Sequence, residues 1–269
     1  MAVQRIHHLN CGTMCPVGGR LFYGEGPRHL VCHCLLVETD SGLVLVDTGF
    51  GLADVRAGSR ELGRVYSAVS RPQLTESECA VRQVEGLGFS ARDVRHIVVT
   101  HLDPDHAGGI PDFPEATVHV HGPEHRTALG SSQHRHRQSL LAMVKQWHTY
   151  DDGGEKWFGF DSVRTVEGLP PEILMIPLIG HSAGHVGIAV SCADGWHLHC
   201  GDAYFHRATV DQGPGRAPFG TRVFEWWIEH DRNQRLENQM RLRELAAAHG
   251  DEVRLFCSHD AVEFGSSSP

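Results

Sequence analysis

The sequence predicts an α/β fold, and three observations predict it. Short apolar runs recur along the chain and end in a carboxylate or imidazole beside small residues, stretches of helical periodicity separate them, and no linker divides the 269 residues. A single domain over residues 1–269 is the economical reading, since a chain of this length can bury one substantial core.

The elements follow in order. Asn10 to Met14 reads as a turn. Val31 to Val37 and Leu43 to Asp47 read as neighbouring strands joined across Glu38 to Gly42. Thr75 to Leu87 reads as a helix, with Thr75 and Glu78 as a capping box and Ala80, Val84 and Leu87 as its inward stripe. Val94 to Thr100 is a strand, after which a helix is expected near Ala107. Ala116 to Val120 is another strand, followed by a helix near Pro123 to Leu129. Ile173 to Ile179, Trp196 to Cys200 and Arg254 to Cys257 are further apolar runs, and Arg232 to His249 is a long amphipathic helix stopped by Gly250.

The chemistry concentrates in VTHLDPDHAGG, residues 99–109. His101, Asp103, Asp105 and His106 crowd a turn directly after a strand, where a divalent cation would repay the crowding and solvent would not. Pro104 fixes the backbone angle there and removes a donor. Later runs end in comparable residues: GHSAGH carries His181 and His185, Gly201-Asp202-Ala203 carries a carboxylate, and Ser258-His259-Asp260 carries an imidazole. Their shared place at strand ends predicts convergence on one sheet edge. One of His181 and His185 is expected at the site, the other orienting the loop through a ring hydrogen bond. Asp47, in Asp47-Thr48-Gly49, either ligates directly or holds a ligand histidine from behind, and the second role is preferred.

Composition narrows the function. Twenty-four basic against thirty-three acidic residues give a formal net charge of −9, which disfavours nonspecific nucleic-acid binding. The histidine- and arginine-rich stretch His125 to Arg137 has no aromatic stacking platform and reads as decoration of a helix or loop. No run of eighteen apolar residues and no leader-like amino terminus are present, so a soluble, cytoplasmic protein without a membrane partner is expected. The eight cysteines then read as reduced thiols, with Cys32 and Cys34 as small core residues on one strand face and Cys200 and Cys257 packed beneath Asp202 and His259. Aromatics cluster at Trp147, Tyr150, Trp157, Phe158 and Phe160, and again at Phe224, Trp226 and Trp227. Such clusters suit an apolar lid, a homodimer contact or a satellite core equally.

The order DTG, HxxxDHAGG, GHSAGH, GDA, SHD resembles the metallo-β-lactamase superfamily, and within it the homoserine-lactone lactonases, over roughly Leu30 to Phe264. The resemblance implies a four-layer αββα sandwich and a centre of two divalent metal ions. It assigns His101, Asp103 and His181 to one ion and Asp105, His106 and His259 to the other, with Asp202 bridging, and His185 and Asp47 in support. Zinc is the first choice of metal, with iron or manganese as alternatives. The implied activity is hydrolysis of a small-molecule lactone or related carboxylic ester by a metal-bound hydroxide, with Asp105 and Asp202 in the catalytic machinery. Rival readings are a β-lactamase-like or thioester hydrolase, a diiron oxidoreductase, and a binding protein that keeps the metal site without catalysis.

One departure stands out. Hydrolytic members usually carry HxHxDH, whereas HLDPDH puts Asp103 at the second histidine, an oxygen donor that hardens the site. Ring opening also needs a proton for the leaving oxygen. Tyr204 is the candidate, one residue short of the tyrosine position in related lactonases, where this chain has Phe205; His206 or a bound water is the substitute.

Overall fold

In the computed structural model, which describes residues 2–24, 26–58, 62–130, 137–211, 213 and 215–267, thirteen strands form two sheets. The first sheet holds β1 (Val3–Met14), β2 (Leu30–Thr39), β3 (Gly42–Val46), β4 (Pro72–Gln73), β5 (Val94–Val98), β6 (Thr117–His121) and β7 (Trp147–Tyr150), in the order β4-β1-β2-β3-β5-β6-β7. The second holds β8 (Glu155–Trp157), β9 (Phe160–Thr165), β10 (Ile173–Pro177), β11 (Val186–Cys192), β12 (Gly195–His199) and β13 (Val253–Phe256), in the order β13-β12-β11-β10-β9-β8.

The sheets face each other across one apolar layer. Leu35, Val37, Val44, Val46 and Val98 from the first meet Ile173, Met175, Val186, Ile188 and Val190 from the second. The opposite strand faces are apolar too, because helices cover them. The outer face of the first sheet packs Leu36, Leu45 and Ile97 against Ala80, Val84 and Ala128 of flanking helices, while Ile176, Ala189 and Leu198 of the second meet Leu242 and Leu245 of the helix Arg232–His249. Both faces of each sheet are thus buried, giving the four-layer αββα sandwich that the family resemblance implies.

Three local readings are corrected. Asn10 to Met14 is the end of β1, with a register shift against β2 between Asn10 and Thr13. Thr75 makes no side-chain cap: a short 3₁₀ turn at Glu76–Glu78 precedes a helix at Ala80–Gly86, and Leu87 lies half exposed past its end. The helix expected near Ala107 begins at Pro104, because a proline at the first helical position loses no hydrogen bond there. Asp105 and His106 therefore sit inside a helical turn.

Parallel pairing sets the active edge. β3 pairs with β5, and β12 with β13, in parallel, so the loops after each pair leave the same end of their sheets. The loop after β3 needs close backbone approach: Gly49 has φ +60°, and a Cβ there would stand 2.1 Å from the Cys11 carbonyl oxygen. Gly49→Ala is accordingly expected to cost at least about 1–3 kcal/mol in urea denaturation; an unchanged midpoint would contradict this packing.

Candidate metal centre

Five loops deliver the site. Asp47 follows β3, the His101–His106 stretch follows β5, His181 follows β10, Asp202 follows β12 and His259 follows β13. Each loop leaves a strand end toward the seam between the sheets, where apolar packing stops and polar side chains meet while still buried. His101, His106, His181, Asp202 and His259 are all nearly inaccessible, and Asp103 is the most open of the group at 15% side-chain exposure.

Asp202 lies at the middle, and its two oxygens face two different clusters. Oδ2 is 3.9 Å from His101 Nε2 and 3.5 Å from His181 Nε2, while Asp103 Oδ2 is 3.4 Å and 3.1 Å from the same two nitrogens. Oδ1 is 3.3 Å from His106 Nε2 and 3.1 Å from His259 Nε2, and Asp105 Oδ2 is 3.9 Å and 3.5 Å from that second pair. Burial alone would raise the Asp202 carboxyl, but the His259 and His106 rings outweigh it and hold it well below the ordinary carboxylate range.

The ring tautomers suit cations. His106 Nδ1 donates to Asp47 Oδ2 at 2.8 Å, and His259 Nδ1 donates to the Val31 carbonyl at 2.7 Å. Thr100 Oγ1 gives its proton to Asp47 at 2.8 Å, leaving it to accept from His101 Nδ1 at 3.0 Å. Burial would lower the His106 and His259 rings, but Asp202 and Asp105 outweigh it and raise both; in the neutral form that a bound cation would enforce, each ring would turn a bare Nε2 lone pair inward. His101 Nε2, His106 Nε2 and Asp202 Oδ1 are buried without a hydrogen-bond partner. Orphaned acceptors of this kind are costly, at about 1–3 kcal/mol each, and divalent cations would satisfy all three. The residues fit a pair of ions.

The pattern of the metallo-beta-lactamase superfamily matches residues 27–249, most of the chain. The chain belongs to the metallo-beta-lactamase superfamily. A probable metallo-hydrolase of Mycobacterium tuberculosis is 42% identical over 262 residues, covering 95% of this chain and 80% of the relative, which places the chain among the metallo-hydrolases of the superfamily. An N-acyl homoserine lactonase of Bacillus thuringiensis is 26% identical over 160 residues, covering 58% of this chain and 57% of its own. A solved N-acyl homoserine lactone hydrolase with N-hexanoyl-L-homoserine at its catalytic metal centre shares the fold, with a TM-score of 0.74 and 22% identity over 99% of this chain and 97% of that one. The dizinc quorum-quenching lactonase AidC shares it with a TM-score of 0.64 and 16% identity, over 96% and 90% of the two chains.

Within this metallo-beta-lactamase frame, the supporting residues divide into those legible beforehand and those missed. Asp47 stands behind His106 and also takes the Thr100 backbone N–H at 2.7 Å. His185 faces away from the ion positions. Its Nδ1 donates to the Leu178 carbonyl at 3.0 Å and its Nε2 accepts the Asp202 N–H at 2.8 Å, so it fixes the loop that carries the central carboxylate. Burial, with His101 and His181 nearby, holds its ring well below the ordinary histidine value and hence neutral.

Glu124 was missed. It is buried at the start of the helix after β6, accepting the Leu102 N–H at 3.0 Å on Oε1 and both Ser182 Oγ at 2.6 Å and the Gly184 N–H at 3.1 Å on Oε2. One carboxylate thereby ties the HLDPDH loop to the GHSAGH loop. Asn238 and Gln239 were missed as well: from the long helix they reach the Ile179 carbonyl at 2.7 Å and the Ala203 carbonyl at 2.8 Å. Polar residues on the inner face of an amphipathic helix were the available signal.

Tyr204 requires a correction. It is fully buried, and its hydroxyl donates to Glu263 Oε1 at 3.1 Å, among Cys200, Cys257 and Leu242 behind the second sheet. Burial followed by the Asp260 charge pushes Glu263 up to about 8. The tyrosine is a structural partner of that carboxyl. Phe205 faces the centre instead, stacked on His259 at 5.1 Å and 19°. Beside it opens a narrow cleft walled by Phe22, Tyr23, Leu30, Phe205 and Val262, with His206 and Arg207 as polar lining.

The other aromatics divide among the main core layers, with Tyr150 between the sheets, Phe160, Trp157 and Phe158 on the helix side of the second sheet, and Trp147 on the helix side of the first. Phe160 and Tyr150 are buried, and Trp157 packs edge-on to Phe158 and Trp196. Of the second set, Phe224 backs the cleft against Phe22 and Phe205, while Trp226 and Trp227 are exposed. The basic stretch after His125 falls partly outside the described residues; Arg137 pairs with Asp54.

Glu124→Ala leaves the buried Leu102 and Gly184 N–H groups unpaired, so it is expected to cost roughly 2–5 kcal/mol in urea denaturation and to lower the metal retained after dialysis. Unchanged stability and metal content would remove Glu124 from the loop tether.

Proposed function

We propose that this metallo-hydrolase opens a neutral lactone or related carboxylic ester, with two divalent ions held on either side of Asp202. The observation that carries the reading is that one buried carboxylate turns its two oxygens toward separate clusters, His101, Asp103 and His181 on one side and Asp105, His106 and His259 on the other. Ions bound there would supply Lewis acidity for the ester carbonyl and a water acidic enough to ionise near neutral pH. Zinc is the first candidate. The Asp103 oxygen keeps iron and manganese in contention at the first position.

The chain's own residues shape the rest. Phe205 shields the His259 ring, and with Phe22, Leu30 and Val262 it lines an apolar wall suited to an acyl chain. The likeness to lactone hydrolases in fold, and to an N-acyl homoserine lactonase over 160 residues, supports an N-acyl homoserine lactone as the first substrate to try. Phenylalanine has no proton to give, so the leaving oxygen must be served by another group. His206, in the lining of the cleft, is our candidate for that role; its Nδ1 accepts the Ala208 N–H at 3.2 Å, which leaves Nε2 to carry the proton.

The test is a parallel panel of N-acyl homoserine lactones, simple esters, thioesters and β-lactams, run on one metal-loaded preparation. Lactone turnover should exceed lactam turnover by at least roughly tenfold in kcat/KM, about 1.4 kcal/mol in barrier, and chelation should abolish it until metal is restored. Preferred lactam or thioester turnover, or lactone cleavage indifferent to chelation, would overturn the proposal.

A further inference from the structure

β2 places a thiol against the second cluster. Cys32 is 1% exposed, and its Sγ, one ring nitrogen of His259 and one oxygen of Asp105 lie within 4.8 Å of one another. Metal–ligand bonds of ~2.0–2.3 Å set neighbouring donors of one ion roughly 3–3.8 Å apart, so the three atoms need to close by about 1–2 Å to share one ion.

The backbone holds the thiol in that place. The Val31 carbonyl, one residue earlier, takes the Nδ1 proton of His259, so the same stretch of β2 that aims the ring also carries the sulfur. The Cys32 N–H donates to Asn10 Oδ1 at 3.1 Å, which also accepts the Gly12 N–H at 3.3 Å. Gly12 makes room: a Cβ there would come within 2.5 Å of the Phe50 ring and 3.2 Å of Cys32 Sγ. The apolar neighbours of Cys32, among them Met14, Leu30 and Phe50, account for one side of the residue. They do not account for its facing two metal-type donors, with the unpartnered Asp202 Oδ1 and His106 Nε2 in the same cluster. Reading Cys32 as a small core residue is therefore incomplete.

We propose that Cys32 is a thiolate ligand to the ion held by Asp105, His106 and His259, an inference that rests on the two-ion reading above. Coordination exchanges the S–H bond for a sulfur–metal bond, and the proton leaves to the buffer. The two positions then differ in kind. Two imidazoles and the Asp103 carboxylate make the first position comparatively hard, whereas sulfur makes the second soft and selective for zinc or cobalt over manganese.

X-ray absorption at the zinc edge of the wild-type protein loaded with zinc tests this directly. A sulfur scatterer at about 2.3 Å, near one sulfur for every two zinc ions, is expected. The cobalt-loaded protein should show a near-ultraviolet thiolate-to-cobalt band, and Cys32→Ser should lose both signals. Bound zinc surrounded only by nitrogen and oxygen would overturn the proposal while leaving the two-ion centre standing. A sulfur signal that survives in Cys32→Ser would overturn it by assigning another thiol. Failure to bind any ion would overturn both readings. The wild-type spectrum decides whether or not the variant folds.

Discussion

The arrangement turns on Asp202, a buried carboxylate that no hydrogen bond fully satisfies. Its oxygens face two sets of imidazole nitrogens at 3.1 to 3.9 Å, with a further carboxylate on each side. Three carboxylates within one buried pocket repel each other, and their desolvation is costly. Divalent cations reverse both terms. The loops that carry these groups are held in place by other bonds.

Those bonds come from behind the site. Glu124 joins the two loops that supply the first cluster, Asp47 and Thr100 set the rings of His101 and His106, and His185 grips the backbone of Asp202. Asn238 and Gln239 hold two of the same loops from the far side of the second sheet. The apolar layer between the sheets keeps the five strand ends in register, so that ligands separated by up to 158 positions, from His101 to His259, meet at one seam. Packing sets the frame, and buried polar contacts set the angles.

Much of the site was legible because metal chemistry constrains residue type strongly. HLDPDH, GHSAGH, GDA and SHD each put donors at strand ends, and the structure brings those donors together. What stayed hidden was direction. Tyr204 and Phe205 are adjacent, and which one faces the cleft depends on how the chain bends after Asp202, a matter that spacing does not decide. Glu124 and Cys32 were hidden for another reason: a glutamate opening a helix and a cysteine in an apolar strand look ordinary until the fold shows what they touch. The capping box at Thr75 failed because the first turn there is 3₁₀, with its own bonding. Among the described residues no helix is long and apolar enough to cross a membrane.

Anomalous diffraction from zinc-soaked crystals of the wild-type chain tests the central claim most directly. The account predicts two peaks flanking Asp202, one among His101, Asp103 and His181 and the other among Asp105, His106 and His259, each within bonding distance of a different Asp202 oxygen. A single ion that leaves Asp202 uncoordinated, or no ion at this seam, would contradict it.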